Sequence, residues 1–144
     1  MKRLIITSTF CLISAVMFAQ VQGQQTKSMV ERSPAGQKTI RFIKAVNDKI
    51  EVDSSFESNF SSDGLKMMGD IAKTINSISK KHGKLSVYSI YRPSYFVYEY
   101  KVNCEKTGWK LLKFDMLDQS PYGITDYSIS SIEEPDKIGE EIKF

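Results

Sequence analysis

The feature that most constrains the fold is a change of hydrophobic periodicity at Gly83. Upstream of it, apolar side chains recur every three or four residues, which places them on one face of an α-helix. Downstream, across residues 84–132, apolar and polar residues alternate, which is the pattern of a strand with one covered face. Helices followed by strands predict an α+β domain in which the helices pack on one face of an antiparallel sheet.

The upstream region is predicted to contain two amphipathic helices, with a short helical turn over residues 51–60 between them. The first begins at Pro34, which suits the first helical position, with Ser33 as its cap. The second covers residues 64–82 and ends at Gly83, because glycine readily adopts the left-handed conformation of a helix stop. The predicted apolar faces are Ile40, Phe42, Ile43, Val46 and Ile50 in the first helix and Leu65, Met67, Met68, Ile71, Ala72, Ile75 and Ile78 in the second.

Four strands are predicted downstream, over residues 84–91, 95–104, 109–117 and 124–132, and residues 133–144 are predicted to be a charged tail. The short connections between them favour pairing of consecutive strands, which gives an antiparallel meander. Alternate residues of the second strand share one face, namely Phe96, Tyr98, Tyr100, Val102 and Cys104. The domain itself is therefore expected to span residues 34–132.

The N-terminus has the order of a secretory signal peptide, with a basic start followed by an apolar run over residues 4–19. Cleavage after Ala19 and cleavage after Gly23 both satisfy the small-residue preference, so residues 1–23 are predicted to be the signal. The run is shorter than the roughly 20 residues that a membrane-spanning helix needs. We therefore expect a secreted or periplasmic protein with no stable membrane span. Residues 24–33, which are polar and without period, are predicted to form a flexible lead-in.

Charge and cysteine content narrow the possible partners. Loss of Lys2 and Arg3 with the signal lowers the formal charge from +3 to +1, so net charge gives no reason to expect nucleic-acid binding. Cys11 also leaves, and Cys104 then has no intrachain partner, which excludes a disulfide framework. Burial of Cys104 in a strand is the expectation, with an intermolecular bridge or a reactive thiol as the alternatives.

The side chains that usually carry catalysis are few. His82 is the one histidine and lies on the apolar face of its helix, where packing or interaction with the helix dipole is the expected role. One histidine and one mature cysteine are too few for a zinc site within the chain. Asp115, Asp118 and Asp126 are the candidate carboxylates, and an enzyme would need Asp115 or Asp126 within reach of His82. We predict no catalytic residue, no metal and no cofactor.

The one unusual concentration is tyrosine, because all seven tyrosines lie between Tyr88 and Tyr127. Tyrosine combines a large contact area with a polar tip, which suits a binding surface. The alternative is that these residues are simply good strand formers. Five of them fall in the first predicted hairpin and are the candidate residues for binding a ligand or a partner: Tyr88, Tyr91, Tyr95, Tyr98 and Tyr100.

The order of elements resembles the nuclear-transport-factor-two-like, or cystatin-like, α+β superfamily, in particular its small secreted bacterial members. The resemblance covers residues 34–132 and rests on the opening helix around residues 40–47, on Phe56 and Phe60 before Ser61-Ser62-Asp63, on His82-Gly83-Lys84-Leu85 and on Gly123-Ile124. It implies that the helices pack on a curved four-stranded antiparallel meander sheet, with a cavity or a dimer surface on the concave side. Enzymes of the superfamily often place Asp and His in that cavity, and this chain has no such pair at a recognisable position.

These observations predict a secreted or periplasmic, non-catalytic binding module. It would hold a small apolar ligand or a protein partner on an aromatic face of the sheet, and a homodimer through the sheet is a further expectation. The alternative hypothesis is an envelope inhibitor or immunity protein that neutralises an enzyme. Small size and export are compatible with it, although neither is specific.

Overall fold

The computed structural model describes residues 22–144 and confirms the α+β class. After the short strand β1 come the helices and then the four longer strands of an antiparallel sheet, with strand order β1-β2-β3-β4-β5. The elements are β1 (Gly23–Gln24), α1 (Lys27–Arg32), α2 (Pro34–Val46), a 3₁₀ helix (Ser54–Asn59), α3 (Ser62–Met68), α4 (Ile71–His82), β2 (Leu85–Ser94), β3 (Val97–Cys104), β4 (Gly108–Met116) and β5 (Ile124–Ser131).

The sheet has five strands rather than the predicted four, because the start of the described chain pairs with the end of β2. The prediction of a flexible lead-in over residues 24–33 is therefore wrong. The side chain of Thr26 caps α1, and Val30 within that helix has no exposed surface. A two-residue strand and a helix of less than two turns are too short to show a hydrophobic period, so tertiary contacts decide their structure.

The predicted signal peptide lies almost wholly outside the described residues, of which it includes only Gln22 and Gly23. Gly23 pairs with Arg92 of β2, so the second of the two expected cleavage positions falls inside an element of the fold. Within residues 22–144, no helix combines the length and the apolar content needed to cross a membrane.

The helix predicted over residues 64–82 is divided into two. Gly69 ends α3 with φ of +61°, and the Asp70 side chain caps α4 by accepting a hydrogen bond of 3.1 Å from an amide in its first turn. The division also corrects the predicted apolar face, since Met67 and Ala72 are both exposed. The end of the second helix is as predicted, because Gly83 has φ of +70° and forms the C-cap of α4.

The helices pack on one face of the sheet, which we call the inner face. Its core residues are Leu85, Val87, Ile90, Tyr98, Tyr100, Val102, Cys104, Leu112, Phe114 and Met116. A β-bulge between Val87 and Ser89 changes the alternation in β2. Ile90 therefore lies on the inner face opposite Tyr100, and Tyr91 lies on the outer face, which no helix of residues 22–144 covers.

Two hydroxyl pairs fix α2 to the inner face. Ser33, the N-cap of α2, contacts the Tyr98 hydroxyl at 2.8 Å. The fully buried Thr39 donates its hydroxyl proton to the Gly36 carbonyl at 2.7 Å and also contacts the Tyr100 hydroxyl. Because a threonine hydroxyl has one proton, Tyr100 is the donor in the second contact. The two tyrosines are thus anchors between helix and sheet.

The charged tail over residues 133–144 returns to the sheet. The Ile142 amide donates to the Val87 carbonyl at 2.7 Å, and the two residues form an antiparallel bridge on the free edge of β2. The Lys49 ammonium group donates to the Phe144 carbonyl at 3.2 Å. The tail and β1 therefore cover different parts of the same edge, which leaves fewer unpaired backbone groups on it.

Candidate functional site

A cavity of about 300 Å³ opens at one end of the sheet, and we call it the aromatic pocket. Its walls come from three segments that are far apart in sequence: the start of α2, the turn between β2 and β3, and the loop between β4 and β5. It is lined by Ser33, Pro34, Ala35, Arg92, Tyr95, Phe96, Leu117, Asp118 and Tyr122. The volume is at the lower end of the range for small-molecule sites.

Three aromatic rings contribute to the wall of the pocket while remaining accessible to solvent. Tyr95 is 47% exposed, and Phe96 and Tyr122 are also exposed. Tyr95 and Phe96 lie in the β2–β3 turn with their ring centroids 6.2 Å apart, whereas Tyr122 lies in the β4–β5 loop. Grouped exposed rings of this kind mark binding sites more often than isolated ones do. The pocket therefore offers a ligand apolar contact from two separate segments, the β2–β3 turn and the β4–β5 loop.

Arg92 forms a buried, positively charged part of the pocket wall and is only 8% exposed. Its guanidinium carbon lies 4.6 Å from the centroid of the Tyr98 ring and 5.0 Å from that of Tyr95, within the range of cation–π attraction. One terminal nitrogen, Nη2, donates to the Tyr95 carbonyl at 2.7 Å. The Nε atom is buried and has no hydrogen-bond partner in the part of the chain that the structure describes.

No carboxylate of the described residues lies within salt-bridge distance of this guanidinium. Asp118 lines the same pocket, but its side chain is exposed and makes no ion pair with Arg92. A buried charge is normally paired, because removing it from water is costly. The pocket therefore contains a cation whose charge the surrounding residues leave uncompensated.

The first turn of α2 adds a second positive feature. Ser33 Oγ accepts a hydrogen bond of 3.2 Å from the Gly36 amide, and the Ser33 carbonyl accepts one of 2.9 Å from the Gln37 amide. Ala35, which lines the pocket at the second helical position, has an amide for which the helix itself supplies no acceptor. The positive end of the helix dipole thus lies at the same cavity as Arg92.

The structure separates the five tyrosines that the sequence grouped as one binding surface. Tyr98 and Tyr100 are buried in the core, and burial raises the pKa of both hydroxyls. The prediction that they contact a ligand or partner is therefore corrected: they hold α2 on the sheet. Tyr95 lines the aromatic pocket. Tyr91 and Tyr88 lie away from it, where Tyr91 is exposed on the outer face and Tyr88 packs on a tryptophan ring at 5.2 Å between centroids.

Sequence reasoning missed four of the pocket residues that matter most, namely Arg92, Phe96, Tyr122 and Asp118 in its role at the pocket. Arg92 and its neighbour Pro93 have the composition of a turn, and nothing in the alternation indicates that this arginine lies on the inner face. The β-bulge upstream of it produces that placement. A sequence signal that could have indicated this site is the pair of adjacent aromatic residues Tyr95 and Phe96, directly after a predicted turn.

The carboxylates proposed for a catalytic site do not meet His82. The His82 ring bonds through Nδ1 to the Thr107 hydroxyl at 2.7 Å, next to the start of β4. Asp115 and Asp126 are partners across β4 and β5, and Asp115 lies roughly 24 Å along β4 from its first residue, Gly108, at about 3.4 Å per residue. Burial, followed by the charges of two nearby lysines, lowers the pKa of His82. Within residues 22–144, no group of three or more His, Cys, Asp or Glu side chains is placed to hold a metal ion.

Cys104 occupies the position expected of it. It lies in β3 with its side chain buried on the inner face, and it is a free thiol. Burial raises the pKa of this thiol, although a hydrogen bond from Thr107 opposes the effect. A buried, protonated thiol is a poor nucleophile, so Cys104 packs as a small apolar residue.

Comparison of the chain with protein-family models, with curated proteins and with solved structures gives no match in any of the three. What the aromatic pocket binds is therefore inferred from its own residues.

Proposed function

We propose that this chain is a secreted or periplasmic, non-catalytic binding module whose aromatic pocket holds a small, largely apolar ligand. The observation that carries the proposal is the set of three exposed aromatic rings around a cavity of about 300 Å³. Apolar walls with a few polar groups are the usual composition of a small-molecule site. Removing these rings from water on binding would supply the driving force.

The pocket is formed before any ligand arrives, which favours binding. One wall is the start of α2, which the Ser33–Tyr98 and Thr39–Tyr100 hydroxyl pairs hold on the sheet. A second wall is the end of the β2–β3 hairpin, where the Arg92 side chain bonds to the turn backbone. A ligand therefore pays little conformational entropy to order these walls.

A cavity bounded on several sides suits a small molecule better than the surface of a folded enzyme. For that reason the pocket favours the ligand-binding hypothesis over an envelope inhibitor or immunity protein. The relationship to the nuclear-transport-factor-two-like superfamily, with a curved sheet around a helix, and a homodimer through the sheet remain proposals. They are supported by the order of helices before an antiparallel meander and by the uncovered outer face.

Export is part of the proposal and gives a first test. Cleavage after Gly23 would remove half of β1, whereas cleavage after Ala19 would keep both of its residues. We therefore expect the mature chain to begin at Gln20. Intact-mass measurement of protein purified from the producing cells checks this. An uncut chain contradicts the export proposal, and a start at Gln24 contradicts the choice of site.

The binding proposal is tested with a neutral fluorescent probe, N-phenyl-1-naphthylamine, and two matched variants. Tyr95→Ser removes a ring from the pocket, and Tyr91→Ser removes a ring of nearly equal exposure, 45% against 47%, from the outer face. We expect the probe to gain fluorescence with the wild-type protein and with Tyr91→Ser, and to bind Tyr95→Ser at least several-fold more weakly.

Three results would contradict the pocket as the binding site. The wild-type protein fails to bind the probe, or both variants bind it as well as the wild type does, or the Tyr91→Ser variant loses as much affinity as Tyr95→Ser. In the last case the outer face is the binding surface. Specific capture of an enzyme from envelope extract, unaffected by Tyr95→Ser, would favour the inhibitor hypothesis instead.

A further inference from the structure

We propose that the ligand of the aromatic pocket is an organic monocarboxylate, with its carboxylate bound by Arg92 and its apolar part against the exposed rings. This inference rests on the proposed function and adds to it the chemical class of the ligand.

Burying the Arg92 guanidinium without a counterion costs desolvation free energy. Arg92 is more than nine-tenths buried, its Nε is buried without a partner, and no described carboxylate lies within 4.0 Å of it. The rings of Tyr95 and Tyr98 offset part of the desolvation by cation–π attraction, which does not replace a hydrogen-bond acceptor. A carboxylate entering the pocket would supply the missing opposite charge and an acceptor for the terminal nitrogens of the guanidinium.

The N-terminal end of α2 adds positive potential at the cavity that Arg92 lines. Pro34 and Ala35 bring the N-terminal end of the 13-residue helix α2 to the pocket, and a helix N-terminus favours an anion. Arg92, whose Nε has no hydrogen-bond partner among the described residues, is an independent observation at the same cavity. Two positive features of different origin therefore act on one cavity.

The charged residues that line the pocket favour a ligand with one negative charge. Among the described residues, Arg92 is the one basic residue that lines the pocket, and Asp118 is an acidic residue at the same cavity. Asp118 repels any anion, and it repels a dianion such as phosphate about twice as strongly as a monocarboxylate, with one side-chain cation to offset this. The planar guanidinium matches a carboxylate through two parallel hydrogen bonds. The exposed rings of Tyr95, Phe96 and Tyr122 then contact the apolar part of the acid.

The test compares 3-phenylpropionate with its neutral isostere, 3-phenylpropionamide, by calorimetric titration. We expect the wild-type protein to bind the acid about tenfold or more tightly than the amide, since a hydrogen bond to a charged group contributes that much. Arg92→Met should remove this preference while the amide still binds. Arg41→Met, which removes an exposed arginine of α2 that does not line the pocket, should leave the preference intact.

The outcomes distinguish failure of the monocarboxylate inference from failure of the binding proposal. Equal binding of acid and amide by the wild-type protein overturns the monocarboxylate inference and leaves the binding proposal standing, whereas binding of neither compound contradicts the binding proposal itself. Preference retained in Arg92→Met also overturns the inference.

A second measurement does not depend on the folding of the variant. The Arg92 Nε–Hε signal in ¹H–¹⁵N spectra of the wild-type protein should move on addition of the acid and much less on addition of the amide. A signal that responds equally to both compounds, or to neither, contradicts a role for this guanidinium.

Discussion

The buried contact between Thr39 and Tyr100 gives the sharpest test of how the helices are held on the sheet. Both side chains have no exposed surface. The Thr39 hydroxyl donates to the Gly36 carbonyl at 2.7 Å and accepts from Tyr100. Thr39→Val keeps the shape of the side chain but removes the acceptor, so the Tyr100 hydroxyl is left buried and unpaired.

The expected loss of unfolding free energy depends on which hydroxyl is left without a hydrogen-bond partner. Thr39→Val should lower the free energy of unfolding by about 1–3 kcal/mol, the cost of an unsatisfied buried polar group. Tyr100→Phe removes the donor and leaves Thr39 still bonded to the Gly36 carbonyl, so about 0.5–1.5 kcal/mol is expected. In the double variant no hydroxyl is stranded, and the loss should be smaller than the sum of the two single losses.

Urea unfolding of the four proteins, followed by circular dichroism, measures these differences. Tyr91→Phe, which removes an exposed hydroxyl from the outer face, is the matched control and should change stability by less than about 0.5 kcal/mol. The reasoning is refuted if Thr39→Val costs no more than Tyr100→Phe, or if the two effects are additive. Tyr100 would then not be donating to Thr39.

Two further predictions concern packing and pH. A Cβ atom at Gly64 would lie 2.0 Å from the Ile124 carbonyl oxygen. Gly64→Ala should therefore move α3 away from β5 and lower the free energy of unfolding in urea by about 1–3 kcal/mol. Gly139→Ala, where the space is open, is the control, and a loss at Gly64 no larger than the loss at Gly139 would contradict this prediction. His82 has a lowered pKa in the folded state, because burial disfavours its charged form. The unfolded chain therefore binds this proton more readily, and stability should fall as pH drops through the ordinary value of 6.5 towards the lowered one. His82→Gln should flatten this slope in unfolding experiments between pH 8 and pH 5, and an unchanged slope would remove His82 as its cause.

Much of the fold is predictable because its signals are local. The start of α2 at Pro34, the stop at Gly83 and the four main strands all follow from periodicity and from capping or turn residues. The division between α3 and α4 does not, because the apolar spacing of Met68, Ile71 and Ile75 continues across it. Gly69 and Asp70 carry the signal for that break, as a left-handed stop and a cap.

The candidate site was less predictable, because it is assembled from three segments that only the tertiary fold brings together. Alternation correctly placed Tyr98 and Tyr100 on one face, but composition alone favoured a binding surface over the core position they occupy. The burial of Arg92 depends on a β-bulge in β2, which a regular two-residue period does not reveal. Tyr122, in the loop between β4 and β5, lines the same pocket as Tyr95 and Phe96 of the hairpin, from which it is far in sequence.

The central claim is that the aromatic pocket is a ligand site, and a crystal structure of the protein with 3-phenylpropionate tests it most directly. The account predicts the phenyl group against Tyr95, Phe96 and Tyr122, with a carboxylate oxygen at hydrogen-bond distance from the Arg92 guanidinium. A compound bound on the outer face, or a pocket that stays empty under saturating compound, would contradict it.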